Sequence, residues 1–200
     1  MLTVGADEAE VERKLAGGGF ECPCCGGVLA RWGWARMRVL RGERGLVRRR
    51  PRRARCRGCE VSHVLLPVFA LLRRVDLAEV IGAALAAKAA GAGARLIAAA
   101  FGRPVDTVRG WLRRFGSRAG LVRAFFIGLL VEAGVDPVPP AQAPSVFADA
   151  VAAVAGAAVA VASRWPGIGE VPLWWLACAA SGGRLLAPGW PGKLVNTSSL

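Results

Sequence analysis

Two cysteine pairs carry the most specific chemistry in this chain. They are Cys22-Pro23-Cys24-Cys25-Gly26-Gly27 and Cys56-Arg57-Gly58-Cys59, with 30 residues between Cys25 and Cys56. A Cys-x-x-Cys knuckle turns tightly enough to aim two sulfurs at one ion. Two knuckles supply the four thiolates of a closed, tetrahedral structural zinc site. Cys22, Cys25, Cys56 and Cys59 are therefore the expected ligands of a structural Zn2+, with no open position to activate water. Gly26 and Gly58 fit the backbone turns of the knuckles. Two alternatives stay open: Cys24 could exchange with Cys25 or Cys22, and His63, the single histidine, could replace a cysteine. Cys178, among alanines and tryptophans, reads as a small buried apolar residue.

A second chemistry is charge. The chain carries 27 Lys+Arg against 14 Asp+Glu, for a net charge of +13. Residues 1–123 hold 24 basic and 10 acidic side chains, whereas residues 124–200 hold 3 and 4. Such a surplus points to a polyanionic partner contacted by the first two thirds of the chain. Twelve arginines and one acid, Glu43, lie between Arg31 and Arg57. Arg48, Arg49, Arg50, Arg52 and Arg53, around Pro51, are expected to be solvated and to contact phosphates, releasing counterions. Trp32 and Trp34 could stack on bases, although at least one is expected in the small core of the ribbon.

A third pattern lies between Asp76 and Phe115. Asp76-Leu77-Ala78-Glu79 reads as a helix start, with Asp76 as the cap and Glu79 three residues on. A first helix to about Ala90, a short one over Arg95–Phe101, a turn at Gly102 and a third helix over Val105–Phe115 make a helix-turn-helix. Pro104 starts the third helix, where its missing N–H costs nothing. Val108, Trp111, Leu112 and Phe115 form one apolar stripe. Asp106, Thr107, Arg109, Gly110 and Arg113 fall on the other side, as in a helix that reads DNA. Arg109 and Arg113 are placed to read guanine. Gly110 would admit close approach of the duplex, and Arg103 and Arg114 would hold phosphates.

The elements that position these residues set the expected architecture. It is mostly α with a small β zinc ribbon: an N-terminal zinc ribbon, a central helix-turn-helix bundle and C-terminal Ala-rich helices. The expected segments are an acidic stretch over 1–19, the ribbon with its arginine-rich insert over 20–70, and the helix-turn-helix over 74–134. A linker over 135–144, a helical region over 145–187 and a tail over 188–200 follow. Within the ribbon, 28–34 and 37–40 read as strands and 63–67 as the closing strand. Residues 5–16 fit a short amphipathic helix. The acidic start (Asp7, Glu8, Glu10, Glu12) has the wrong sign for an export signal. The expected location is therefore the cytoplasm, on the nucleoid. The Ala/Val stretch 146–162 is expected to be buried or partner-facing, with no membrane contact.

The succession CPCCGG, the arginine run, RCRGC, HVLLP and IAAAFGRPVDTVRGWLRRF resembles a family of actinobacterial zinc-ribbon/helix-turn-helix proteins of unknown function. It is also similar to the N-terminal DNA-binding part of insertion-sequence transposases. The resemblance covers roughly residues 20–130. It implies zinc on Cys22, Cys25, Cys56 and Cys59, and DNA contact by Val105–Arg114. It further implies a role in a mobile element or in transcriptional control. The expected partners are double-stranded DNA, a second copy in a homodimer, and a recombinase or transposase. No catalytic residues are expected. After Phe115 the acids are Glu132, Asp136, Asp149 and Glu170, too few and too scattered for two-metal phosphoryl transfer. The alternatives are a truncated transposase-type enzyme and a zinc-ribbon module that binds protein.

Overall fold

A computed structural model describes residues 1–134, 136–166 and 171–192. The N-terminal half is built on a four-stranded sheet in the order β1-β6-β5-β2. Its strands are β1 (Leu2–Val4), β2 (Leu29–Trp34), β5 (Arg52–Cys56) and β6 (Ser62–Pro67), with β1 parallel to β6 and the other pairs antiparallel. A separate hairpin joins β3 (Arg38–Arg41) to β4 (Leu46–Arg49). The helix α1 (Glu8–Ala16) packs on the sheet, and its Val11 and Leu15 join Val4, Leu29, Ala54, Leu65, Cys22 and Cys56 in a small core. The chain is mixed α/β, with more strand than the sequence suggested.

Two findings follow from this sheet. The acidic stretch 1–19 is part of the ribbon: it supplies an edge strand and a core helix. The arginine run is β-structured. In β5, Ala54 and Cys56 are buried while Arg53 and Arg55 point to the other face. The period of two in Arg-Arg-Ala-Arg-Cys was the available signal. Glu12 binds Arg52 and Arg31, and Glu8 binds Arg49, so α1 neutralises part of the run.

The helices follow as α2 (Ala78–Ala89), α3 (Ala94–Ala100), α4 (Val105–Gly116), α5 (Ala119–Ala133), α6 (Val146–Arg164) and α7 (Leu173–Ala180). Gly91 and Gly102 hold left-handed backbone, with φ of 98° and 59°, at the breaks before and after α3. Arg103 N–H closes the second break onto the Ala98 carbonyl at 2.9 Å. Pro104 stands at the N-cap of α4, one residue before the expected place. In α4, Val108, Trp111 and Phe115 of the expected stripe are buried and Leu112 is half-buried, so that stripe is the docking face.

Side chains from α2 to α7 share one core, which also takes Leu40 from the hairpin and Leu66 from the sheet. The Ala/Val helix α6 lies along α5. A β-carbon on Gly156 would stand 2.8 Å from Leu130 Cδ1, so this glycine lets the two helices approach closely. Among the described residues, α6 is long and apolar enough to cross a membrane, with mean hydropathy 2.0 over its best 18-residue window, of which 28% is buried. The expected break at 166–169 and the tail at 188–200 lie largely outside the described residues.

Candidate metal centre and nucleic-acid interface

The two knuckles meet at the end of the sheet. Cys56 ends β5, and Cys22 sits one residue after Glu21, which bridges to Val28 ahead of β2. The Sγ atoms of Cys22, Cys25, Cys56 and Cys59 all lie within 4.8 Å of one another. Cys22–Cys59 is 3.6 Å and Cys25–Cys56 is 3.5 Å. Four sulfurs about 2.3 Å from a central ion stand roughly 3.8 Å apart at tetrahedral angles. A disulfide would need about 2.0 Å. The cluster therefore fits one metal ion such as Zn2+, held by four protein ligands.

The backbone around the sulfurs fits the same conclusion. A β-carbon on Gly27 would press on Cys56 Sγ at 3.1 Å and Cys25 Sγ at 3.4 Å. The residue after each knuckle takes the left-handed turn: Gly26 with φ 72° and Glu60 with φ 59°. Gly58, expected to serve as a turn residue, needs no positive φ. Backbone N–H groups of Gly58 and Cys59 donate to Cys56 Sγ at 3.3 and 3.5 Å. Those bonds, that of Cys59 first, hold the Cys56 thiol down to about 6, although burial opposes them. In Cys59 the Val61 N–H favours the thiolate. Bonding to Cys25, burial and bonding to Cys22 and Cys56 outweigh it and push the thiol up to about 12. Burial also opposes ionisation of Cys22, but N–H groups of Cys24 and Cys25 and the Cys59 thiol hold it below the usual thiol range.

The two alternative ligands sit to one side. Cys22, Cys24 and His63 form a second, overlapping set that shares Cys22 with the first. His63 Nε2 is 3.4 Å from Cys22 Sγ, and its Nδ1 is 3.0 Å from the Met1 amino group. Burial first, then the Met1 charge, hold His63 below its usual range, which favours the neutral ring. A neutral ring accepting at Nδ1 can donate from Nε2, so His63 can orient the Cys22 thiolate from behind. Burial alone pushes the Cys178 thiol up to about 12, and Cys178 donates to the Ala70 carbonyl as a core residue.

The expected DNA contacts divide. On α4, Asp106, Arg109 and Arg113 are exposed, with Arg109 3.2 Å from Asp106. Thr107 and Arg114 lie on the flank beside them and line a cleft against the hairpin. Gly110 is buried, contrary to expectation. Arg114 folds over it and donates from Nη1 to its carbonyl at 2.9 Å. Arg103 is not a free phosphate ligand, because its guanidinium, 13% exposed, donates to Asp76 at 2.6 Å, Phe101 at 2.9 Å and Gly42 at 3.0 Å. Asp76 is itself not a helix cap. Leu77 holds that position, while the Asp76 carboxylate, 2% exposed, binds Arg103 and also Arg41 at 3.0 Å. A cap and a buried ion pair both want an aspartate at a helix start, so the sequence did not separate them.

Of the arginine run, Arg48 and Arg50 are exposed, Arg53 donates to Ser62 Oγ at 3.1 Å, and Arg49 and Arg52 face α1 acids. Trp32 and Trp34 are 53% and 46% exposed, and neither packs in the ribbon core. Trp32 is the unpaired residue of a bulge in β2 and shares the face of Ala30 and Arg55, while the register shift after it sets Trp34 opposite Arg52. Arg55 lies 4.7 Å from the Trp32 ring and Arg52 lies 4.1 Å from the Trp34 ring. Cation–π contact holds both indoles at the surface.

Fold and site together define a four-cysteine metal site of zinc-ribbon type, set in a small sheet ahead of a helical bundle. The chain matches no protein-family model, no curated protein and no solved structure.

Proposed function

We propose that this protein binds double-stranded DNA sequence-specifically, as a mobile-element accessory factor or a transcriptional regulator. In this reading zinc on Cys22, Cys25, Cys56 and Cys59 folds the ribbon, and α4 enters the major groove. The observation that carries it is the two-sided build of α4: Val108, Trp111 and Phe115 are buried, while Asp106, Arg109 and Arg113 stand out in solvent after the Gly102 turn. The Asp76 ion pairs support it, because they lock the basic hairpin to the residues that lead into α4. The reading assigns Arg48 and Arg50 to phosphates and drops Arg103 from the contact set. It places the protein on the nucleoid. The exposed edge of α6, with Val146 and Val159, would serve a homodimer or a recombinase partner.

No catalytic step belongs to this reading. Asp149 accepts the Ala143 N–H at 2.6 Å in the first turn of α6, and Glu170 lies outside the described residues. Selection of binding sites from a random duplex pool, followed by footprinting, tests the proposal. A bounded footprint on one enriched motif is expected, with Arg109→Ala relaxing the motif. Uniform protection at every sequence would overturn it. One observation favours a second reading, a ribbon that binds protein: Trp32, Met37, Val39 and Leu46 are exposed on the ribbon and hairpin. Stable capture of a polymerase or recombinase at moderate salt, with no DNA retained, would favour that reading.

A further inference from the structure

A cleft of about 440 Å³ lies between the flank of α4 and a wall made by the loop 73–76 and Arg41 of the hairpin. Four arginines line it: Arg41, Arg73, Arg74 and Arg114. Of the two acids at its walls, Asp76 is held by Arg41 and Arg103, and Asp106 points into solvent, 3.2 Å from Arg109. Among the described residues, Arg73, Arg74 and Arg114 have no acidic partner.

Two of these cations are anchored by backbone carbonyls. Arg74 is anchored through the carbonyls of Arg73 and Leu186, both at 3.3 Å, and Arg114 through Gly110. The buried Nε atoms of Arg74 and Arg41 have no hydrogen-bond partner. Burial first, and then the charge of Arg114, lower the Arg74 pKa from its usual value. Arg73 has left-handed backbone, φ 57°, a costly conformation for a residue with a side chain. Three arginines gathered on one cleft without acidic partners suit an anion with several acceptor oxygens. Guanidinium forks match phosphate best among common anions.

We propose that this cleft is a phosphate-binding site. Its occupant is a backbone phosphate of the DNA strand running beside α4, or a free phosphate. Only the first source rests on the DNA-binding reading. Arg109 and Arg113 would then face bases, while Arg73, Arg74 and Arg114 grip the strand at the groove edge.

The test uses the zinc-loaded full chain and three variants: Arg73→Gln/Arg114→Gln, the charge-keeping Arg73→Lys/Arg114→Lys, and Arg123→Gln, at an exposed position of α5, as a charge control. Binding of inorganic phosphate is followed by calorimetry, and binding of the selected duplex by anisotropy across a salt series. The glutamine pair is expected to lose phosphate binding and to lower the salt slope for duplex by about one, with the lysine pair keeping most of that slope. Arg123→Gln should change neither. Phosphate binding without duplex binding, lost in the glutamine pair, keeps the site and removes the DNA reading. Duplex binding that weakens in the glutamine pair, with no binding of free phosphate, makes the DNA backbone the occupant. A folded glutamine pair that matches wild type on both probes overturns the inference. So does a wild type that binds neither.

Discussion

Gly82 of α2 lies against the indole of Trp174 in α7, so close that a β-carbon there would stand 1.9 Å from the ring's Cδ2. The contact joins α2 to the C-terminal region. Trp174 is buried and cannot swing away freely. In an exposed helix, Gly→Ala gains about 1 kcal/mol from helix propensity. Here overpacking of a filled core, on the order of 1–3 kcal/mol, opposes that gain. Gly82→Ala should therefore lower the thermal midpoint, measured by circular dichroism. A rise would mean that α7 does not pack on α2 in solution.

The metal centre makes a prediction about protons. Zinc binds thiolates, so loading displaces whatever protons the sulfurs carry. At pH 7 Cys59, at about 12, still holds its proton, while Cys56, at about 6, has mostly lost its own. Competition titrations should show zinc affinity falling as pH falls, and falling more steeply below about pH 6, where Cys56 also takes up a proton. A chelator should unfold the ribbon. Cys25→Ser should reduce zinc content below one ion per chain, whereas Cys24→Ser should leave it at one.

Removing the Asp76 carboxylate would leave the nearly buried Arg103 guanidinium without its acid and the half-exposed Arg41 unpaired. Asp76→Ala should cost about 3–5 kcal/mol in urea unfolding, the range for breaking a buried ion pair from one side. Arg103→Ala in the same background should cost less than it does alone, because the two side chains act on each other.

Gly110 gives two opposite signs in one variant. A β-carbon there would stand 2.8 Å from Nη1 of Arg114, the far end of a flexible chain that can move aside. Gly110→Ala should raise stability by about 0.5–1 kcal/mol through helix propensity. It should also weaken phosphate and duplex binding by displacing Arg114 from the cleft. Equal binding with higher stability would mean that the Arg114 placement is irrelevant to ligand.

What the sequence determined by itself is local. The Cys-x-x-Cys spacing limits how its two sulfurs can be aimed. Gly102 before Pro104 stops one helix and permits the next, and the 3.6-residue period of Val108, Trp111 and Phe115 assigns the buried side of α4. Each of these is decided within a few residues, where backbone sterics act alone. Tertiary structure decided which partner each charge took. Arg103 and Arg114 look alike in sequence, yet one is locked to Asp76 and the other lines an open cleft. Arg49 and Arg52 are answered by acids on α1, some 40 residues away, while Arg48 and Arg50 are not. Coulomb attraction and burial act through space, so the fate of an arginine depends on what the fold brings beside it.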